Sequence, residues 1–102
     1  MSVPISFLRE LKIKDFVKPT MTFDKRPMII LNVEVDGAVK RLNVVGDPGT
    51  TVPELINWLV NKKLIVKERD GYIIYVPTHA LAKERDNTIW LHLRDYKPLV
   101  GD

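Results

Sequence analysis

The chain has 102 residues, 45% of them hydrophobic, and carries 16 Lys/Arg against 13 Asp/Glu for a net charge of +3. That length supports one hydrophobic core and is too short for two independent ones. The lack of Cys excludes disulfide staples and thiolate metal sites, and no apolar run approaches the roughly 20 residues a bilayer-spanning helix needs.

The positive charge is spread thinly, with eight cations and six acids in residues 1–47 and eight and seven in residues 48–102. A dedicated phosphate-binding face normally clusters its cations. The opening MSVPISFLRELK has no long apolar segment of the secretory kind, which with the missing Cys leads to the expectation of a soluble, cytoplasmic protein without a membrane partner. Gln is also absent while Lys, Glu and branched aliphatics are frequent, a balance that fits a heat-adapted source.

In chain order, Ile5, Leu8 and Leu11 recur at three-residue steps, with Phe7 four before Leu11. This spacing predicts a helix over 3–14, capped by Ser2 and ended by Lys18-Pro19. Residues 19–27 then read as a loop between two prolines. MIILNVEVDGAVKRLNVV follows, where Asp36-Gly37 supplies the positive φ angles of a two-residue hairpin turn. Pairing Val35 with Ala38 places Val33 against Lys40, Leu31 against Leu42 and Ile29 against Val44, a mostly apolar face; Glu34, Asn32, Arg41 and Asn43 fall on the other.

Gly46 to Gly49 reads as a turn, and Thr51 with Glu54 three residues on has capping-box spacing, predicting a helix over 52–63 with Leu55, Ile56, Leu59 and Val60 inward. LIVKERDGYIIYV repeats the hairpin signature around Asp70-Gly71. Thr78 to Asp86 reads as a short helix or turn, and Ile89, Leu91 and Leu93 alternate in a strand over 88–94.

This order predicts an α+β fold: a single domain over 1–102 made of two tandem helix-hairpin (αββ) units, 1–47 and 48–102, sharing one core. Recurring landmarks suggest a pseudo-two-fold internal repeat. Ser2-Val3-Pro4 matches Thr51-Val52-Pro53, and Val-Gly-Asp closes each half at 45–47 and 100–102. A groove would lie between such units, where binding sites are favoured.

Two resemblances attach to particular segments and a third to the whole chain. TVPELINWLVNKKLIVKERDGYIIYV (51–76) resembles the recognition helix and wing of winged-helix DNA-binding domains, although a hairpin rather than two helices precedes it; the resemblance implies nucleic-acid contact from the helix 52–63 and the Asp70-Gly71 hairpin. Residues 28–95 look like the β-grasp order of hairpin, helix, strands, short helix and final strand, the alternative fold. The modifier branch of that family ends in Gly-Gly, whereas this chain ends in Gly101-Asp102, and without Cys the iron-sulfur branch is excluded. Size and composition also look like the small proteins of filamentous viruses that infect hyperthermophilic archaea, which implies a life in the host cytoplasm and transfers no residue role.

No catalytic, cofactor-binding or metal-binding set emerges from the sequence, so an enzyme is not expected. His79 and His92 lie thirteen apart in different elements, short of a metal-ligand pattern. Gly46-Asp47-Pro48-Gly49 lacks the Lys of a phosphate loop, and the acid pairs Glu68/Asp70 and Glu84/Asp86 sit among cations in surface turns. Tyr72, Tyr75, Trp90 and Tyr96 are amphipathic aromatics of the type favoured at interfaces, and form the candidate partner-binding set. Lys62, Lys63, Lys67 and Arg69 form the densest basic cluster, the candidate nucleic-acid contact. The leading expectation is a non-enzymatic module that binds a protein or peptide, or a second copy of itself as a homodimer, through a sheet edge or the groove between halves. Nucleic acid is the alternative partner.

Overall fold

The computed structural model describes residues 7–100. The elements in chain order are β1 (Leu8–Met21), β2 (Pro27–Val35), β3 (Ala38–Val45), α1 (Val52–Asn61), β4 (Ile65–Glu68), β5 (Gly71–Pro77), α2 (Thr78–Leu81), β6 (Thr88–His92) and α3 (Leu93–Val100). The strands form one six-stranded sheet in the order β4-β5-β1-β2-β3-β6. All neighbours are antiparallel except β3 and β6, which are parallel. Leu55 and Leu59 of α1, Ala80 of α2 and Leu93 and Tyr96 of α3 join Leu31, Val33, Leu42, Val44, Ile74, Ile89 and Leu91 of the sheet in one buried cluster. The helices therefore share one face of the sheet, and among the described residues the other face is uncovered by helix.

The predicted helix over 3–14 is corrected wherever it can be seen: from Leu8 onward the chain is strand, while Ser2 to Pro4 lie outside the described residues. Lys12-Ile13-Lys14 carries the alternation that decides the matter. Leu11 and Ile13 pair with Ile74 and Tyr72 on one side, and Ile13 pairs with Val33 on the other, so β1 is the central strand that joins the two hairpins. Tertiary pairing outweighs the three-residue spacing of Leu8 and Leu11. Pro19 does not end an element but sits within β1 opposite Ile29, and the expected loop 19–27 shrinks to the turn Thr22 to Arg26. There Thr22 N–H donates to the Arg26 carbonyl at 2.8 Å and Lys25 N–H to that of Thr22 at 2.9 Å.

The first hairpin has the expected register, Val35 to Ala38 through Ile29 to Val44, with Asp36 and Gly37 at φ 52° and 83°. The second is shifted by one residue: Glu68 pairs with Gly71, so Arg69-Asp70 makes the turn. Both arms of the capping box form, Glu54 N–H donating to Thr51 Oγ1 at 3.2 Å and Thr51 N–H to Glu54 Oε1 at 2.9 Å. The expected strand over 88–94 stops at His92, where Asp95 Oδ2 accepts the His92 amide at 3.0 Å and starts α3.

Strand outweighs helix, 51% against 24%, and the two-unit αββ reading falls with the first helix. The first half supplies β1, β2 and β3, the second half α1, β4, β5, α2, β6 and α3. The halves interleave, since β4 and β5 flank β1 on one side and β6 flanks β3 on the other. The β-grasp alternative is corrected by the same ladder, in which β1 separates the hairpins and the last strand lies at the edge. Among the described residues no helix is long and apolar enough to cross a membrane.

Candidate functional site: the open edges and two clefts

A partner that adds a strand needs unpaired backbone groups, and alternation along each edge tells where they are. At β6, the Asn87 carbonyl accepts from Arg41, Arg85 and Thr88 bond each other reciprocally at 2.9 and 3.0 Å, and the His92 amide is used by Asp95. Among the described residues, alternation leaves Trp90 between them with its amide and carbonyl turned outward. At β4, Tyr75 N–H donates to the Leu64 carbonyl at 2.8 Å, so Ile65 and Lys67 face outward.

A third edge comes from the length of β1. Its pairing with β5 ends at Ile13, whereas its pairing with β2 continues to Met21, so Lys14 to Met21 has a neighbour on one side alone among the described residues. The Pro27 carbonyl accepts from Gly46, which turns Pro27 toward β3 and, by alternation, Met28, Ile30 and Asn32 toward β1. Their partners Thr20, Lys18 and Asp15 use the inner side of β1, leaving Phe16 and Pro19 outward. Two register shifts, at Lys14 and Val17, and the missing amide hydrogen of Pro19 blunt this edge against open-ended strand pairing.

Beneath the overhang, on the helix face, is a cleft of about 470 Å³. Ile13 and Phe16 of β1, Ile29 and Leu31 of β2, Ile56 of α1 and Tyr72 of β5 line it, with Asp70 at its rim; Lys14 and Asp15 border it but turn their side chains to Glu34 and Asn32. Residues from both halves of the chain line the cleft. Its size is that of pockets that take a small ligand or a few side chains.

The four candidate aromatics do not form one patch. Tyr72 is 48% exposed in this cleft. Tyr75, on the opposite face by register with Glu10, is half-buried and its hydroxyl lies 3.4 Å from Glu10 Oε1. Trp90, 49% exposed, sits four strand steps from β5, roughly 19 Å away. Tyr96 is fully buried, packs against Trp58 with ring centroids 6.1 Å apart, and donates its hydroxyl to the Tyr75 carbonyl at 2.6 Å. It is a core residue, and periodicity in Tyr96, Leu99 and Val100 was the available signal. Burial pushes the Tyr96 phenol well above its ordinary range; burial first, then the Glu10 carboxylate, raises Tyr75.

The basic cluster is likewise drawn out. Lys62 and Lys63 end α1, while Lys67 and Arg69 lie at the far end of β4, about 10 Å along the strand, interspersed with Glu68 and Asp70. No helix-turn-helix precedes α1, since β3 does, and the apolar side of α1 is packed on the sheet. The winged-helix resemblance thus lacks the two helices that precede the recognition helix in that family.

Sequence reasoning missed other placements. Asp95 gathers both histidines, its Oδ1 lying 3.8 Å from His79 Nε2 while Oδ2 takes the His92 amide; among the described residues no metal-holding cluster results. Gly46 to Gly49 is a turn closed by Thr50, and Asp47 there accepts Lys97 Nζ at 2.7 Å, tying α3 to the β3–α1 connection. Met21, Phe23 and Trp90 expose large apolar surface around a second cleft, of about 590 Å³, on the helix-free face. No protein-family model, curated protein or solved structure matches the chain.

Proposed function

We propose that the protein is a non-catalytic module that binds an extended peptide segment of another protein along the overhang of β1, in line with β5. The observation that carries this reading is that β1 outruns β5 from Lys14 to Met21 directly over the cleft lined by Ile13, Phe16, Ile29, Leu31, Ile56 and Tyr72. Backbone groups at such an edge give affinity, and alternate side chains of an added strand point into a pocket that gives specificity. Pro19 and the two bulges restrict pairing to a short register near Phe16, which favours a bounded peptide over indefinite sheet growth. Apolar side chains at alternate peptide positions match the aliphatic floor.

Selection from a displayed peptide library tests this. Extended peptides with alternating apolar residues should be enriched, and Phe16→Ala and Tyr72→Ala, both at half-exposed positions, should weaken them about tenfold by removing ring contact area. Trp90→Ala should leave that binding unchanged. Enrichment of nothing, or of ligands indifferent to both cleft variants, overturns the reading; a dimer in light scattering that Phe16→Ala dissolves would reassign the edge to a second copy.

A further inference from the structure

The face of the sheet without helices holds a separate concentration of rings and cations. Phe23 at the β1–β2 turn is fully exposed, Trp90 is half-exposed on β6, and both line the second cleft with Met21, Arg26 and Arg94 over a floor of Met28 and Val45. Register carries Lys18 along the same row as Ile30, Asn43 and Trp90, and Arg41 along the next with Thr88. Lys25 lies in the turn beside Phe23. Of these cations, Lys18, Lys25 and Arg94 have no acidic partner among the described residues, whereas Arg26 Nε donates to Asp24 Oδ2 at 2.8 Å. Asp15 is held by Asn32. Among the residues lining this cleft the charged groups are thus Arg26 and Arg94 against Asp24, with Lys18 and Lys25 beside them.

We propose that this corner binds single-stranded nucleic acid, with bases stacked on Trp90 and Phe23 and phosphates held by Arg26, Arg94 and Lys18. Exposed rings on a strand and a turn, interleaved with cations, are what unstacked bases and their backbone require. A duplex keeps its base faces hidden from such rings. An apolar protein partner would strand Lys18 and Arg94 without water or counter-charge, and a second copy would bring two like-charged corners together. The surface differs from that of α1 and Lys62, which lies across the sheet, and from the β1 overhang and its cleft, so it stands or falls independently of peptide binding.

Fluorescence anisotropy of a labelled oligothymidylate, its uridylate counterpart and a duplex of equal length, over a salt series, tests the proposal. Saturable binding of the single strands is expected, with three neutralised phosphates giving a log–log salt slope of about −2. Trp90→Ala and Phe23→Ala should each weaken it about tenfold, Arg94→Gln should flatten the slope by roughly 0.7, and Tyr72→Ala should change nothing, with circular dichroism confirming that each variant folds. No saturable binding at low salt, duplex binding as tight as single-strand binding and insensitive to Trp90→Ala, or a dimer dispersed by Trp90→Ala would overturn it.

Discussion

Lys63 holds a left-handed backbone, φ 59°, just past the end of α1. Its amide bonds the Val60 carbonyl and the Leu64 amide bonds that of Leu59, at 3.0 and 2.8 Å, the bond pair that closes a helix with a residue usually glycine. A side chain there costs about 1 kcal/mol that glycine avoids, so Lys63→Gly should raise the urea midpoint by that equivalent, the reverse of glycine's usual effect in a helix. Tyr96 carries a pH dependence with a definite sign. Its pKa is raised by burial in the folded state, so its contribution is intact below the ordinary phenol pKa of about 10. That contribution is lost as pH climbs further, because the unfolded chain ionises there and the folded one resists. Tyr96→Phe leaves the Tyr75 carbonyl without its hydroxyl donor and should cost about 1–2 kcal/mol near neutrality. Compared by urea unfolding at neutral and strongly alkaline pH, the variant should show a shallower alkaline loss than the parent; equal losses would refute the assignment.

β1 decides both the architecture and the principal candidate site. Its apolar edge is managed by Pro19, which has no amide hydrogen to offer, and by the bulges at Lys14 and Val17. Pro19→Thr restores an outward donor to a strand that already exposes Phe16, Val17 and Met21, and should produce concentration-dependent association in light scattering with little change in stability. If the variant stays monomeric at high concentration, the overhang is not the receptive edge. Local signals made much of the rest legible: the Asp36-Gly37 turn fixes the first hairpin's register, and Thr51 with Glu54 fixes the start of α1, because these depend on neighbours in sequence. β1 was illegible for the opposite reason. Leu8 and Leu11 satisfy a helical spacing, and only pairing with Tyr72 to Pro77 and with Pro27 to Glu34, distant in sequence, makes them strand. The candidate aromatics were visible as residue types, but whether Tyr96 was core and Trp90 exposed depended on α3, whose start rests on the Asp95 carboxylate.

Across the whole molecule, the interleaving of halves replaces the symmetry suggested by the repeated tripeptides. A true tandem repeat would let each unit bury its own strands against its own helix. Here β1, β2 and β3 form a three-stranded meander whose core face is covered by α1 and α3 from the second half, while β6 pairs, among the described strands, with β3 alone. Residues 48–102 alone would keep the β4–β5 hairpin, and an isolated two-stranded hairpin is marginal in water. Residues 1–47 alone would expose Leu31, Val33, Leu42 and Val44, each nearly or fully buried in the intact fold. Cutting the chain in the exposed turn at Pro48 and Gly49 should therefore yield two fragments that are each largely unstructured by circular dichroism. Mixed in equal amounts they should regain the sheet spectrum together, in one transition that shifts with concentration, since the β1–β5 and β3–β6 ladders then form between chains. Either fragment folding alone would show that the shared sheet is not what holds this molecule together.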